Sequence, residues 1–141
     1  MNPLIEINNL VKYFDLGQGQ IVHAVDGVSL HIDSKEVVGL VGESGSGKST
    51  LGKAVLGLHD KTAGNVSFAG ELLPQKYLSR DFQKHAKTMQ MIFQDPYSSL
   101  NPRMTVGEII GEGLKLNKAL SAKEISLRVA HWLPLVGLSA D

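Results

Sequence analysis

Eight consecutive residues of the sequence have the types and the spacing that phosphate chemistry needs. They are Gly42, Glu43, Ser44, Gly45, Ser46, Gly47, Lys48 and Ser49, which fit the pattern G-x-x-x-x-G-K-[ST] at every fixed position. The glycines let the backbone turn so that its N–H groups converge on phosphate oxygens, and a following helix adds positive potential. The Lys48 ammonium suits the β- and γ-phosphates, the Ser49 hydroxyl suits Mg²⁺, and Thr50 offers a further phosphate contact. A chance match in a chain of this length has a probability of about one in two hundred, so we expect a phosphate site here.

The segments on both sides of this loop must hold it in place. Residues 37–41 are apolar on both faces, which predicts a central strand buried on two sides. From Lys48 onward, Leu51, Val55 and Leu58 recur at helical spacing, and the pattern ends near residues 57–60. The sequence therefore predicts a strand, a loop and a helix in succession.

The front of the chain is predicted to be mostly β. Apolar residues alternate with polar ones at close to period two in residues 5–10 and again in residues 28–32. The pair Asp26-Gly27 predicts a tight turn, and residues 17–20 predict a loose loop. Both periodic segments are expected to be half-buried strands.

The second half of the chain mixes strands with helices. Residues 66–68 predict a short strand, residues 89–93 a buried strand, and residues 77–85 a helix between them. Thr105 with Glu108, and Ser121 with Glu124, each match the S/T-x-x-E capping box. Two further helices are expected to begin there.

Composition narrows the class of protein. The chain has 141 residues, enough for one compact domain, with 43% hydrophobic and 20% charged residues. Fourteen Lys and Arg balance fourteen Asp and Glu, so bulk attraction to nucleic acid is not indicated. The absence of cysteine excludes disulfides, a thiol nucleophile and cysteine-based zinc sites. The lengths of its apolar runs and the residues at its start predict no membrane span and no signal peptide. The five histidines show no ligand spacing, and most are expected to be solvated or to cap helices.

Three runs of sequence together resemble one family. They are AVDGVSL at residues 24–30, GLVGESGSGKSTL at residues 39–51 and MIFQDPYSSLNPR at residues 91–103. These runs closely resemble the ATP-binding subunits of ABC transporters, nearest to the dipeptide and oligopeptide importers, and the Asp-Pro-Tyr form of the third run resembles the second of their two ATPase subunits. The resemblance covers nearly all of residues 4–138. One departure, Ser34-Lys35-Glu36 in place of a glycine before the glutamate, falls at a predicted surface turn.

The resemblance implies roles for particular residues. Gln94 corresponds to the Q-loop glutamine, which would touch Mg²⁺ and the attacking water and signal the nucleotide state to membrane subunits. Its neutral amide suits that role, because it accepts from water and ligates a metal without adding charge. An aromatic near the end of the first strand would stack on adenine. Phe14 fits that spacing best, and Tyr13 is the second choice.

The resemblance also implies a fold and an assembly. The fold would be α/β, a P-loop NTPase core of the ABC nucleotide-binding type with an N-terminal antiparallel β part and the start of a helical subdomain. Residues 1–95 would form the β part and P-loop core, and residues 96–141 the Q-loop and the first part of the helical subdomain. The partners would be membrane-spanning permease subunits and a second ATP-binding subunit, identical or different. The location would be cytoplasmic, peripheral on the inner face of the cell membrane.

Three motifs of a working ABC ATPase are missing from the sequence. They are the Leu-Ser-Gly-Gly-Gln signature, the apolar strand that ends in Asp-Glu, and the switch histidine. We therefore expect an incomplete domain, the N-terminal portion of a longer ATPase that couples ATP hydrolysis to uptake of peptides or a related small solute. The 141-residue chain alone is expected to hydrolyse no ATP.

Other functions also fit parts of the sequence. A small P-loop phosphotransferase would match the length and would use Asp95 as a metal ligand, although Pro96 directly after it and the lack of an arginine-rich lid disfavour this reading. A soluble ABC ATPase acting on ribosomes or DNA is disfavoured by the importer-like third run, whereas a non-catalytic nucleotide-binding module remains open. The transported substrate is open too, since dipeptides, oligopeptides, nickel and glutathione are all compatible with the resemblance.

Overall fold

The computed structural model describes residues 3–95, 99–115 and 120–139. It divides into two compact units, Met1–Met91 and Ile92–Asp141, and each is described by itself. None of the helices in the described part of the chain has the length and apolar character that a membrane span requires.

The first unit is built on a four-stranded antiparallel sheet. The strands are β1 (Ile5–Asp15), β2 (Ile21–Ile32), β3 (Ala63–Phe68) and β4 (Glu71–Leu72), in the order β2-β1-β3-β4. The unit also contains helix α1 (Lys48–Val55), whose Leu51 and Ala54 are buried, and helix α2 (Ser79–His85). Eight buried side chains form the core, namely Ile7, Leu10, Val25, Leu51, Ala54, Val66, Leu73 and Tyr77. The predicted β-rich front and the helix after the phosphate loop are confirmed.

A bulge interrupts β1 at Asn9. Ile7 pairs with Leu30 of β2 and Leu10 with Val28, so β1 has one residue more than β2 between these pairs. Asn9 has a φ of 46°, and its backbone N–H donates to Ser29 Oγ at 2.9 Å. On the other side of β1, a Cβ added to Gly64 would stand 2.1 Å from the Asn9 carbonyl oxygen, so only glycine fits there. The bulge is therefore accommodated by both neighbouring strands.

The prediction of a tight turn at Asp26-Gly27 is wrong. Both residues lie inside β2, opposite a register shift between Leu10 and Lys12 of β1. Gly27 has a φ of 65°. A positive φ is needed at an irregularity in a strand as well as in a hairpin turn, so the glycine does not distinguish the two. The loop predicted at residues 17–20 makes the real hairpin connection, closed by the Leu16 N–H donating to the Gln20 carbonyl at 2.9 Å.

The two predicted buried strands at residues 37–41 and 89–93 are also wrong. Neither segment is a strand, and Val37 and Val41 are 97% and 94% exposed. A central strand exists only through hydrogen bonds to strands on both sides and through helices that cover its faces. The described residues supply neither for these two segments. Their apolar residues thus suit a buried position between strands and helices, which the described part of the chain does not provide.

The second unit is a pair of helices. Helix α3 (Val106–Lys115) and helix α4 (Ala122–Trp132) pack together where Gly107 and Gly111 face Val129. A short 3₁₀ turn, Pro134–Val136, follows α4. Both predicted helix starts are confirmed: the Glu108 N–H donates to Thr105 Oγ1 at 3.2 Å, and the Glu124 N–H donates to Ser121 Oγ at 3.3 Å.

Candidate phosphate-binding site

The glycine-rich loop curls back on itself ahead of α1. The Ser46 N–H donates to the Glu43 carbonyl at 3.2 Å, which closes a turn within the loop. Gly45 and Gly47 have φ angles of 83° and 93°, in the region that favours glycine. A Cβ on Gly42 would stand 2.7 Å from Ser46 Oγ, so the two ends of the turn lie close together. Residues 42–46 are exposed, which leaves the loop open to a ligand.

The side chain of Lys48 spans the mouth of this loop. Its ammonium donates to the Gly42 carbonyl at 2.8 Å, the Glu43 carbonyl at 2.7 Å and Ser46 Oγ at 3.3 Å. Lys48 is the first residue of α1, so its cation lies where the helix N-terminus adds positive potential. The arrangement concentrates a positive charge and a helix end on one small exposed loop. An anion is the ligand that such a loop attracts.

A close backbone contact fixes the loop to the sheet. Gly47, the N-cap of α1, lies against Ala24 of β2, and a Cβ added to Gly47 would stand 2.0 Å from the Ala24 carbonyl oxygen. One turn into the helix, Leu51 is buried in the core. Ser49 is exposed and Thr50 is half-buried in the first turn of α1. The sequence predicted Gly47, Ser49 and Thr50 as ligand contacts, and the structure places them on one loop and helix start.

The two candidate aromatics lie on opposite faces of β1. The Tyr13 ring stacks on His23 with centroids 3.9 Å apart, and its hydroxyl donates to Asp26 Oδ1 at 2.6 Å. That hydrogen bond raises the pKa of the Tyr13 phenol, with burial and the Asp26 charge adding to the effect. The Phe14 ring instead meets His59, which follows α1. Of the two, Phe14 is the one on the side of the strand where α1 ends.

The pairing of β1 with β2 relates Phe14 to the loop. Phe14 pairs with Val22, and Ala24, two residues further along β2, contacts Gly47. At about 3.3 Å per residue, this places the pairing position of Phe14 roughly 7 Å along the strand from the anchor of the loop. The candidate aromatic and the candidate phosphate loop therefore belong to one region of the first unit.

Gln94 belongs to the second unit and is exposed there. The next residue, Asp95, accepts a hydrogen bond at its backbone carbonyl from Ser99 Oγ at 3.0 Å. Pro96, Tyr97 and Ser98, which contribute to the third run of the resemblance, lie outside the described residues. The role expected of Gln94 stays a prediction. Over residues 3–95, 99–115 and 120–139, no group of three or more His, Asp or Glu side chains is placed to hold a metal ion.

The geometry of the loop does not by itself identify the protein family, whereas comparison with a family model does. The model described as ABC transporter matches residues 25–141, which is most of the chain. The chain belongs to the ABC transporter family. Membership implies nucleotide binding and removes the small phosphotransferase as an alternative.

Individual ABC relatives are similar to almost the whole chain. The putative oligopeptide transport ATP-binding protein YkfD of Bacillus subtilis is 45% identical over 99% of this chain and 42% of its own length. The oligopeptide transport ATP-binding protein OppF of the same organism is 46% identical over 98% of this chain and 45% of its own length. The chain thus spans less than half the length of these curated relatives.

A solved ABC cassette has the same fold. The ATP-binding cassette MJ0796, described in a dimeric post-hydrolysis state bound to ADP and Pi, is 26% identical, with a TM-score of 0.76. The match covers 96% of this chain and 58% of that one. The α/β fold of an ABC ATPase cassette, expected from the resemblance, is confirmed over this part.

Two features of the first unit were not foreseen from the sequence. Lys61 is only 6% exposed, with its ammonium donating to the Pro74 carbonyl, and burial lowers its pKa. His85 is 8% exposed, so the expectation that most histidines are solvated does not hold for it. Its ring is 6.1 Å from that of Tyr77 and 6.4 Å from that of Phe68. No spacing rule marks either residue, because their burial depends on strands and loops that are distant in sequence.

Proposed function

We propose that this chain is the ATP-binding part of an ABC importer ATPase, which couples ATP hydrolysis to the uptake of peptides or a related small solute. The observation that carries the proposal is the Lys48 ammonium, held at the mouth of an exposed glycine-rich loop by the carbonyls of Gly42 and Glu43. Those carbonyls keep the cation where the β- and γ-phosphates of a nucleotide would approach. The names of the oligopeptide transport relatives support peptides as the substrate class.

The residues at the loop fit magnesium-bound ATP. Backbone N–H groups of residues 43–48 and the Lys48 ammonium would hold the phosphates, Ser49 would provide a hydroxyl ligand for Mg²⁺, and Thr50 would add a phosphate contact. Glycine at positions 42 and 47 lets the loop close on Ser46 and pack against Ala24, where an added Cβ would stand 2.7 Å and 2.0 Å from an oxygen atom. Bound magnesium would neutralise the charge that develops on the phosphates during transfer. Phe14 would stack on the base.

Gln94 would couple the nucleotide to the transport step. In this proposal its amide would contact Mg²⁺ and the attacking water, because a neutral amide oxygen ligates a metal and accepts from water without adding charge. Gln94→Ala in the assembled transporter should leave ATP affinity unchanged while lowering ATP turnover that depends on the transported substrate. Unchanged substrate-stimulated turnover would remove this role.

Membership of the family supports a proposal for the assembly. We propose that residues 1–95 form the β part and phosphate-binding core, and that residues 96–141 begin the helical subdomain. The remaining catalytic motifs would come from beyond these 141 residues and from a second ATP-binding subunit, since the similar cassette is described as dimeric. Membrane-spanning permease subunits would hold the protein at the cytoplasmic face of the cell membrane.

Binding of ATP tests the proposal directly. Titration calorimetry of the chain with Mg-ATP and with Mg-tripolyphosphate should give binding of both, because both carry the phosphates that the loop would hold. Loss of hydrogen bonds to a charged group costs about 1.5–3 kcal/mol, so Lys48→Ala should weaken both affinities roughly 10- to 150-fold.

Lys76→Ala is the matched control for this experiment. Lys76 is an exposed lysine of the same unit, 3.5 Å from Asp60 and outside the loop, so its loss should leave both affinities unchanged. Equal affinities in the unsubstituted chain and in Lys48→Ala would refute the assignment of the loop.

A further inference from the structure

The Phe14 ring makes an edge-to-face contact with a histidine. Its centroid lies 5.2 Å from that of His59, with the two ring planes at 86°. This is the edge-to-face arrangement that aromatic rings prefer, because the positive edge of one ring meets the negative face of the other. Phe14 and His59 are both half-buried, so neither ring turns freely in solvent. The contact joins β1 to the loop after α1.

A lysine approaches the same ring. The Lys12 ammonium lies 4.7 Å from the centroid of Phe14, within the range of a cation–π interaction. Lys12 is two residues before Phe14, so the two side chains project from the same face of β1. The ring is thus contacted by two groups from two separate segments of the chain.

The charges around His59 favour its neutral form. Burial lowers its pKa, and the positive charges of Lys53 on α1 and Lys12 on β1 lower it further, while a backbone hydrogen bond at Leu58 acts in the opposite direction. A neutral imidazole packs beside a phenyl ring next to two lysines without adding a third positive charge. Near neutral pH, the cluster of Lys12, Phe14 and His59 therefore carries no positive charge on His59.

The cluster lies beside the phosphate loop. Phe14 pairs with Val22, and Ala24 of the same strand contacts Gly47 at the start of α1. His59 is tied to the other end of that helix, since its N–H donates to the Lys53 carbonyl at 3.3 Å. The Phe14 ring on β1 and the phosphate loop are consequently both connected to β2 and to α1.

Resting on the proposed ATP function, we propose that His59 and Lys12 are positioning residues, which hold the Phe14 ring in its stacking orientation before the nucleotide arrives. A ring that is already oriented loses less rotational freedom on binding the base, and this saving appears as affinity. His59 restrains the ring through the edge-to-face contact, and Lys12 limits its rotation from above one face. Their effect is confined to the base, because neither residue belongs to the phosphate loop.

Comparison of ATP with tripolyphosphate isolates that effect. An edge-to-face aromatic contact is worth about 0.5–1.5 kcal/mol, so His59→Ala should weaken Mg-ATP binding roughly 2- to 12-fold. Lys12→Met should act in the same direction. Mg-tripolyphosphate, which has no base, should bind each variant within about twofold of the unsubstituted chain, and this second ligand also reports whether the variant is folded.

Conservative variants and a double variant complete the test. His59→Phe keeps the edge contact and Lys12→Arg keeps the cation, so both should retain ATP affinity. Phe14→Ala should itself weaken ATP binding, and adding His59→Ala to it should have no further effect, because the ring through which His59 acts is gone. His31→Ala, at an exposed position of β2, and Lys76→Met serve as controls and should change nothing.

Three results would overturn the proposal. They are an ATP affinity that is unchanged in His59→Ala and Lys12→Met, an equal loss for ATP and tripolyphosphate, and an unchanged ATP affinity in Phe14→Ala. The proposed function fails separately, if Lys48→Ala retains full affinity for both ligands.

Discussion

The carbonyl oxygen of Ala24 lies in the space that a Cβ on Gly47 would occupy, 2.0 Å from that atom's position. This contact ties the start of α1, and with it the glycine-rich loop, to β2. Glycine at this position thus has two functions: it adopts a φ of 93° and it admits the backbone of a strand. The end of the loop that carries Lys48 is therefore anchored to the sheet.

Gly47→Ala should therefore destabilise the first unit as well as abolish nucleotide binding. The added methyl group meets backbone rather than a movable side chain, so β2 or α1 must shift. Gly45→Ala is the matched comparison, because Gly45 has a similar φ of 83° with nothing within 4 Å of the added Cβ. That variant should cost only about 1–2 kcal/mol of backbone strain. Urea unfolding followed by circular dichroism measures both, and equal losses of stability would contradict the steric argument.

Lys61 and Tyr77 should give the first unit an unusual stability profile at high pH. Burial lowers the pKa of the Lys61 ammonium, which also lies 5.3 Å from the Tyr77 ring centroid. The unfolded chain binds the Lys61 proton more tightly than the folded chain does. Stability should therefore rise as the pH increases through the lowered pKa of Lys61 toward its ordinary value, about 10.4.

The Tyr77 phenol has the opposite effect. Burial, with the Asp81 charge, raises the pKa of the Tyr77 phenol to about 12. Its contribution to the free energy of unfolding is therefore complete below the ordinary pKa of tyrosine, about 10, and is lost as the pH rises above that value. Urea unfolding between pH 8 and pH 12 tests both signs. Lys61→Met should flatten the rise in stability, and Tyr77→Phe should remove the part of the fall in stability that the phenol causes. A rise that persists in Lys61→Met would show that another group is responsible.

The capping box at the start of α4 should make that helix sensitive to acid. The Ser121 hydroxyl and backbone N–H donate to Glu124 Oε2 at 2.7 and 2.8 Å, and these bonds lower the pKa of the Glu124 carboxyl. The stabilisation is therefore present above the ordinary pKa of glutamate, about 4.3, and is lost as the pH falls through the lowered value. Helicity measured by circular dichroism from pH 7 to pH 3 should fall less steeply in Glu124→Gln.

A second substitution separates the cap from general charge effects. Ser121→Ala should cost about 0.5–2 kcal/mol at neutral pH, as the loss of an N-cap does elsewhere. Glu112→Gln, at an exposed position of α3 outside both boxes, should leave the acid profile unchanged. An acid profile that Glu124→Gln fails to alter would assign the sensitivity to other carboxylates.

The isolated 141-residue chain should associate and should hydrolyse no ATP. Val37, Val41 and Ile92 are each at least 94% exposed, on segments that are not paired with any strand in the described part of the chain. Exposed apolar segments of this kind bind dyes such as ANS and promote aggregation. Val37→Lys with Val41→Lys should lower dye binding and improve behaviour on size-exclusion chromatography. A monodisperse chain that releases phosphate, with Lys48→Ala abolishing the release, would disprove this expectation.

The local features of the fold were predictable because local chemistry produces them. The capping boxes at Thr105 and Ser121 are bonds between residues three apart, and the helix after Lys48 follows from apolar spacing and a glycine N-cap. The strand at residues 37–41 was mispredicted because an apolar run indicates the environment a segment needs, not whether the neighbouring strands are present. Asp26-Gly27 was mispredicted because a positive φ serves a bulge as readily as a turn.

The candidate site also combines features that local sequence predicts with features that depend on distant contacts. The glycine-rich loop before α1 was predictable from eight consecutive residues, whereas the contact between Gly47 and Ala24 depends on a pairing across more than twenty residues. The cluster around Phe14 brings together β1 and the loop after α1, and no spacing in the sequence reports it. Buried Lys61 likewise depends on the carbonyl of Pro74, which a distant loop supplies.

The bulge at Asn9 decides which aromatic the chain presents beside α1. Side chains of a strand alternate between its two faces, so one extra residue exchanges the faces for every position that follows. Ile7 and Leu10, three residues apart, both point into the core because the bulge lies between them. The same exchange brings Phe14 to the side of His59 and leaves Tyr13 on the side of His23. The extra residue in β1, four positions before Tyr13, thus acts as the selector between two rings of nearly equal size.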